Sequence, residues 1–299
     1  MAVVGVLALQ GSFNEHIAGI IFFQFHFIPS SCSLSLTRSL SHTYELTIFI
    51  FLYVVVVVVV VVAALRRLGV KGVEIRKPEQ LQSVSSLIIP GGESTTMAKL
   101  AEYHNLFPAL REFVEMGKPV WGTCAGLIFL ANKATGQKTG GQKLVGGLDC
   151  TVHRNFFGSQ IQSFEADLPV PELASKEGGP ETFRGIFIRA PAILEAGPEV
   201  QVLADYPVPS NKFLDSDSFI EDKKENAEEG GKVIVAVRQG NILGTAFHPE
   251  LTADTRWHSY FIKMSNANVG EEASSSSLVP AEVDITSNQQ PCSDLPIFQ

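Results

Sequence analysis

A cysteine lies in the small-residue cluster Gly122-Thr123-Cys124-Ala125-Gly126, between the apolar run Pro119-Val120-Trp121 and the helical run Leu127-Ile128-Phe129-Leu130-Ala131. A short apolar run, a cluster of small residues and then a helical pattern describe a strand that turns sharply into a helix. Such a corner suits a nucleophile elbow. Small neighbours let the backbone turn and leave room for a substrate carbonyl. The helix that follows aims its N-terminal dipole at the sulfur, which favours thiolate. The competing reading is a buried structural cysteine in an apolar core. The flanking glycines and a distant histidine, His248, favour the reactive one.

The elbow sits within an alternation of strand-like and helix-like stretches: Val3–Leu9, Ala64–Leu68, Val73–Ile75, Ser86–Pro90, Glu93–Met116 and Val120–Gly122. That alternation predicts an α/β fold with a mostly parallel sheet covered by helices on both faces. The later part is richer in strands, at Gln160–Ala166, Gly185–Ala190, Val200–Ala204, Val233–Arg238 and Asn241–Phe247. Between them Ser210–Gly231 is acidic and polar and reads as a surface loop. A formal charge of −8 leaves no basic stripe to neutralise phosphates, which argues against a nucleic-acid partner. The four cysteines, at 32, 124, 150 and 292, form no Cys-x-x-Cys pair, which fits a reducing compartment without a zinc site. The start, Met1-Ala2-Val3-Val4-Gly5-Val6, reads as a first strand and not as a signal or transit peptide.

Residues 1–18 and 64–263 form one domain in this reading. The segment 19–63 departs from it. It ends in an unbroken valine run, Val54–Val62, and carries no charge from Ile48 to Leu65. Three readings compete: a transmembrane or re-entrant segment, a buried or aggregation-prone β segment, or translated non-coding sequence such as a retained intron. Removing it joins Asn14-Glu15-His16-Ile17-Ala18 to Ala64-Leu65-Arg66-Arg67-Leu68-Gly69. The fusion reads as one amphipathic helix with Ile17, Leu65 and Leu68 on a shared face and Gly69 as its stop, which favours the third reading. The tail, 264–299, is rich in Ser, Glu, Asn and Pro and reads as disordered.

A thiolate nucleophile needs a base that later protonates the leaving group. His248 in Thr245-Ala246-Phe247-His248-Pro249-Glu250 follows an apolar strand that delivers it at its end. Glu250, two residues on, projects to the same side in extended geometry and is placed to fix the imidazole tautomer. The bland alternative for a lone His-x-Glu is a surface ion pair. A second apolar strand ends in Pro90-Gly91-Gly92, followed by Glu93-Ser94-Thr95-Thr96 at a helix start. Two glycines let backbone amides point into a site and stabilise an oxyanion.

These three blocks together resemble the class I (triad) glutamine amidotransferases. Within them the chain is most similar to the glutaminase-subunit family of pyridoxal 5′-phosphate synthase, in its plant-like form. Further matches are Val6–Gly11 with Glu15-His16, Val152–Gly158, Ser163–Ala166, Phe187-Ile188-Arg189-Ala190-Pro191 and Leu251-Thr252. The resemblance implies a three-layer, flavodoxin-like fold, with Cys124 as nucleophile, His248 as acid/base and Glu250 as its orienter. It implies that Gly92, Glu93, Ser94, Arg154, Ile188 and Arg189 bind L-glutamine, and that backbone amides of Gly92 and Ala125 hold the oxyanion. A guanidinium fork suits the substrate carboxylate. It further implies a cytoplasmic glutaminase that feeds ammonia to a separate synthase subunit making pyridoxal 5′-phosphate. No cofactor or metal is expected in this chain. The rival functions are a triad hydrolase serving another acceptor and a membrane-anchored, non-catalytic regulator.

Overall fold

The computed structural model describes residues 3–9, 57–136, 141–158, 163–208 and 231–274. Strand β1, Val3–Leu7, is followed by a helix α1 over 57–67 and by β2, Lys71–Ile75. A short 3-10 turn, Pro78–Ser83, leads into β3, Ser86–Ile89. Helices α2, Ser94–Tyr103, and α3, Leu106–Glu115, come next, then β4, Val120–Thr123, and α4, Ala125–Leu130. The strands β5, Ala131–Thr135, β6, Leu148–His153, and β7, Ser163–Pro169, precede helix α5, Pro171–Glu177. The chain then runs through β8, Thr182–Ile188, β9, Ala192–Ala196, β10, Gln201–Val208, β11, Gly231–Gln239, and β12, Ile242–Thr245. Helix α6, Arg256–Ser274, ends the described part.

The central sheet has the order β2-β1-β3-β4-β12-β11-β9-β6-β5, with β10 paired to β11. From β2 to β12 every pairing is parallel, as the alternating pattern predicts. β11 is antiparallel to β12 and β9, and β6 is antiparallel to β9. β7 and β8 form a separate antiparallel hairpin. The strand order reverses at β1, and right-handed crossovers then put helices on both faces. The interior parallel strands β3, β4 and β12 are buried on both sides and read as continuous buried runs.

Several differences from the sequence pattern have physical causes. The expected helix-like stretch Glu93–Met116 is two helices, because Asn105 adopts a left-handed φ of 51° and breaks the run. β5, β6 and β9 are not visible as apolar runs because each has a partly exposed face. Helix α6 runs to Ser274, past the boundary at 263 expected for the folded domain. Most of 19–63, most of Ser210–Gly231, the residues Gln160–Gln162 but for the strand start at Ser163, and the tail past 274 lie outside the described residues.

Helix α1 begins inside the valine run. Valine is a mediocre helix former, costing a few tenths of a kcal/mol per residue relative to alanine. Burial outweighs this: Val57, Val58, Val61, Ala64 and Leu65 are all buried, at the spacing of one helical face. Val62 and Leu65 pack over Gly72 of β2, where a Cβ would lie 3.1 Å from Leu65 Cδ1. Val59, on the outer side, is 55% exposed. Among the described residues no helix is long and apolar enough to cross a membrane.

The helical face makes a prediction. Val61→Asp places a carboxylate in the core and should cost about 3 kcal/mol or more, whereas Val59→Asp should stay within about 0.5 kcal/mol. Urea unfolding of both variants checks it. Equal losses, or none, would remove the assigned face.

Candidate active site

The carboxyl ends of β3, β4 and β12 lie side by side, because these three strands are adjacent and parallel. In open α/β sheets this edge is where ligands bind. β3 delivers Pro90-Gly91-Gly92, β4 delivers Cys124, and β12 leads through Ala246 and Phe247 to His248.

Cys124 occupies the corner between β4 and α4 with φ 49° and ψ −102°, a conformation rare for a residue with a side chain. The surrounding backbone enforces it. The Cys124 N–H donates to the Thr245 carbonyl at 2.8 Å, and the Ile128 N–H donates to the Cys124 carbonyl at 3.3 Å. A Cβ on Gly126 would stand 1.8 Å from the Ile89 carbonyl oxygen, and one on Gly122 would stand 2.5 Å from Gly126 backbone atoms. The two glycines of the elbow are therefore needed for close approach of α4 to β3 and β4. The Cys124 Sγ lies 3.9 Å from the Ile188 carbonyl oxygen.

His248 and Glu250 stand behind the sulfur, 1% and 1% exposed. Glu250 Oε1 accepts from His248 Nδ1 at 2.7 Å. The 3-10 turn Pro249–Leu251, rather than an extended strand, brings the two side chains together. Burial works against a charged imidazole here. The nearby, hydrogen-bonded Cys124 and Glu250 outweigh it and raise His248 from 6.5 to about 10. An imidazolium that persists through neutral pH suits a thiolate partner.

In front of the sulfur is a cavity of about 80 Å³ lined by Gly92, Glu93, Ser94, Cys124, Ala125, Arg154, Ile188 and Arg189, with Ile128 and Asn155. Every residue that the sequence offered as a substrate or oxyanion group is thus gathered here. Glu93 lines the cavity and has a structural task as well. It caps α2, accepting from the Thr95 and Thr96 amides at 3.2 and 2.6 Å and from both hydroxyls at 2.8 Å. Its burial opposes ionisation, but these four bonds hold the carboxyl below its usual 4.5. Arg154 Nη2 donates to Ser94 Oγ at 2.7 Å, to Thr95 Oγ1 at 3.0 Å and to Glu93 Oε1 at 3.4 Å. Burial, offset by Glu93 and reinforced by Arg189, draws the Arg154 guanidinium below its usual 12.5. Arg189 has a left-handed φ of 46°. The cavity thus has two arginines in its lining, a residue type whose guanidinium fork suits a carboxylate.

Sequence reasoning did not single out Gly91, Thr123 or Trp121 as parts of the site. A Cβ on Gly91 would lie 2.3 Å from His248 Cε1 and 3.4 Å from Cys124 Cβ. The Gly91 N–H donates to Thr123 Oγ1 at 3.0 Å, and the Trp121 indole donates to Thr245 Oγ1 at 3.2 Å. These bonds tie the three strand ends together. Gly91 stood in a block already recognised as unusual; the two hydroxyl bonds join residues far apart in sequence and leave no local signal.

Two predictions follow from this geometry. Gly91→Ala should displace the imidazole and slow alkylation of Cys124 by iodoacetamide at pH 7 by roughly tenfold or more, because the thiolate is the nucleophile. An unchanged rate would show that the ring has room to move. The second concerns stability. His248 is raised above 6.5, so its contribution is full below pH 6.5 and lost as pH rises through about 10. His258 is held down by burial, from 6.5 to about 4, so its contribution is present above pH 6.5 and lost as pH falls through about 4. Urea midpoints measured across this range should fall on both sides of pH 6.5, with Glu250→Gln flattening the alkaline side.

Residues 56–267 match the SNO glutamine amidotransferase family. The chain is 63% identical over 298 residues to the "Probable pyridoxal 5'-phosphate synthase subunit PDX2" of Arabidopsis thaliana, covering 99% of both chains. It is 46% identical over 260 residues to the "Pyridoxal 5'-phosphate synthase subunit PdxT" of Pelotomaculum thermopropionicum, covering 87% of this chain and 93% of that one. A solved structure described as "Crystal structure of glutamine amidotransferase" superposes with a TM-score of 0.57 at 34% identity, covering 89% of this chain and 100% of the other.

Proposed function

The chain belongs to the SNO glutamine amidotransferase family, and on that premise we propose that it hydrolyses L-glutamine to glutamate and ammonia as the glutaminase subunit of a pyridoxal 5′-phosphate synthase. The observation that carries the reading is the buried His248–Glu250 pair behind Cys124, at the edge of a cavity bearing two arginines. The names of the Arabidopsis and Pelotomaculum relatives support the synthase assignment.

Cys124 attacks the side-chain amide carbon of glutamine. The negative charge that develops on the amide oxygen is met by the backbone amides of Gly92 and Ala125. His248 gives its proton to the departing ammonia, leaving a thioester on Cys124. It then takes a proton from water, which attacks the thioester carbonyl and releases glutamate with the thiol restored. Glu250 orients the imidazole throughout. Arg154 and Arg189 take the substrate carboxylate, while Gly92, Ser94 and Ile188 shape the pocket. Glu93 lines the same pocket while it caps α2 and holds Arg154. The ammonia passes to a separate synthase subunit. Free, buried Cys124 and Cys150 accord with a reducing, cytoplasmic setting.

We further infer that the glutaminase unit comprises 1–18 and 64–263, with 19–63 an interruption of its first helix and 264–299 a tail. In the fused register residues 12–18 would fall where 57–63 now lie.

Cys124→Ala should reduce glutamine-dependent ammonia release by roughly a thousandfold or more, measured with the synthase subunit present. Turnover retained in that variant would reject the nucleophile. Wild-type turnover with no capture of the synthase subunit would favour an amidotransferase serving another acceptor.

A further inference from the structure

Glu250 spends only one of its oxygens on His248. The other, Oε2, is buried and has no hydrogen-bond partner. A buried carboxylate oxygen without a partner is costly, and native structures leave few such groups. A second unpaired group lies in the same buried layer. His258, on the first turn of α6, is 1% exposed, and neither Nδ1 nor Nε2 has a partner. Its ring packs edge-on against Trp121 of β4 at 5.0 Å. The adjacent Trp257 packs against Phe247, the residue before His248, at 5.8 Å. The start of α6 is thereby held against the ends of β4 and β12, behind the triad.

We propose that His258 is a positioning residue for Glu250: as a neutral imidazole it donates a ring N–H to a water that bridges to Oε2, and so fixes the carboxylate that orients His248. This rests on the glutaminase reading. The two unpaired groups complement each other, since a neutral imidazole always has one donor and an ionised carboxylate has only acceptors. A water in such a site would make about three hydrogen bonds to groups of this kind. Burial keeps His258 neutral, pushing it down to about 4; among the charges around it Glu250 acts most strongly, followed by Arg67 and Asp254. A neutral donor suits the task. It holds Glu250 without cancelling the charge that Glu250 offers to the imidazolium.

The arrangement gives Glu250 two anchors that fix its plane. With His258 gone, the carboxylate keeps only its bond to His248, and the imidazole loses a fixed orientation. The effect belongs to the chemical step, so it should appear in kcat and not in KM.

The test compares His258→Phe, which keeps an aromatic ring on Trp121, with His258→Gln, which keeps an N–H donor. In the complex with its synthase subunit, His258→Phe should lose roughly tenfold or more in kcat with KM within about twofold, and His258→Gln should recover most of that loss. Alkylation of Cys124 by iodoacetamide at pH 7, followed by mass spectrometry of its peptide, should fall in the same order. Wild-type rates in His258→Phe, or equal losses in both variants, overturn the proposal. So does a loss in Trp257→Phe matched by none in His258→Phe, because the Trp257 indole N–H is also buried without a partner and would then be the donor. The wild type provides a reading that needs no variant: because burial holds His258 down, its ¹⁵N spectrum should show one neutral tautomer from about pH 6 to 8. An imidazole that titrates there overturns the proposal even if the variants do not fold. If the alkylation order holds but the wild type releases no ammonia from glutamine, the glutaminase reading fails while the placement of His258 stands.

Discussion

The backbone of α4 approaches β3 so closely that Gly126 has no room for a side chain, its absent Cβ lying 1.8 Å from the Ile89 carbonyl oxygen. That contact fixes where the helix can start. It forces the residue before the helix into a positive-φ corner, and the side chain of that residue then stands clear of the sheet edge. A cysteine at this corner is presented to whatever the neighbouring strands carry. β3 brings a glycine pair whose backbone can come close, and β12 brings a histidine. Even the glycines of β3 are constrained by the same crowding, since the His248 ring occupies the space that a side chain on Gly91 would need. The site is therefore a product of tight packing between strands, and its polar groups are placed by backbone contact before any side-chain bond is made.

Electrostatics completes what packing begins. A histidine fully removed from water would ordinarily be neutral. His248 is instead kept charged by two partners, and the Glu250 carboxylate is delivered by a single 3-10 turn two residues along. His258, buried in the same region, goes the opposite way and stays neutral. Two histidines buried in one region thus shift in opposite directions, each according to the partners around it. Arg154, which lines the cavity, is held in position by Glu93, Ser94 and Thr95.

The parallel half of the sheet and the three catalytic blocks were legible in the sequence because each has a local signature: a buried apolar run followed by Gly-Thr-Cys-Ala-Gly, Pro-Gly-Gly or His-Pro-Glu. The family resemblance implied Gly92, Ser94, Ala125, Ile188 and Arg189 as site residues, and all line one cavity. The parts that stayed hidden depend on tertiary partners. β6 and β9 each leave one face partly exposed, so neither is a continuous apolar run, and their pairing carries a register shift. The capping role of Glu93 requires knowing that the helix begins at Ser94. His258 looked like one more polar helix residue, because its burial comes from Trp121, which lies more than a hundred positions away in the chain.

The valine run shows how little the sheet asks of the helix that covers β1 and β2. The groove needs an apolar stripe at the helical spacing, and Val57, Val58 and Val61 supply it together with Ala64 and Leu65. If 19–63 were absent, Phe13 and Ile17 would take the places of Val58 and Val62, while Ser12 and His16 would take the buried places of Val57 and Val61. Only one of the two segments can lie in the groove. A strand-forming sequence becomes helical here because the neighbouring residues 64–67 already begin a helix and the burial of each valine exceeds its loss of propensity. The fold is thus permissive at this helix and unforgiving at the elbow, where a single methyl group cannot be added.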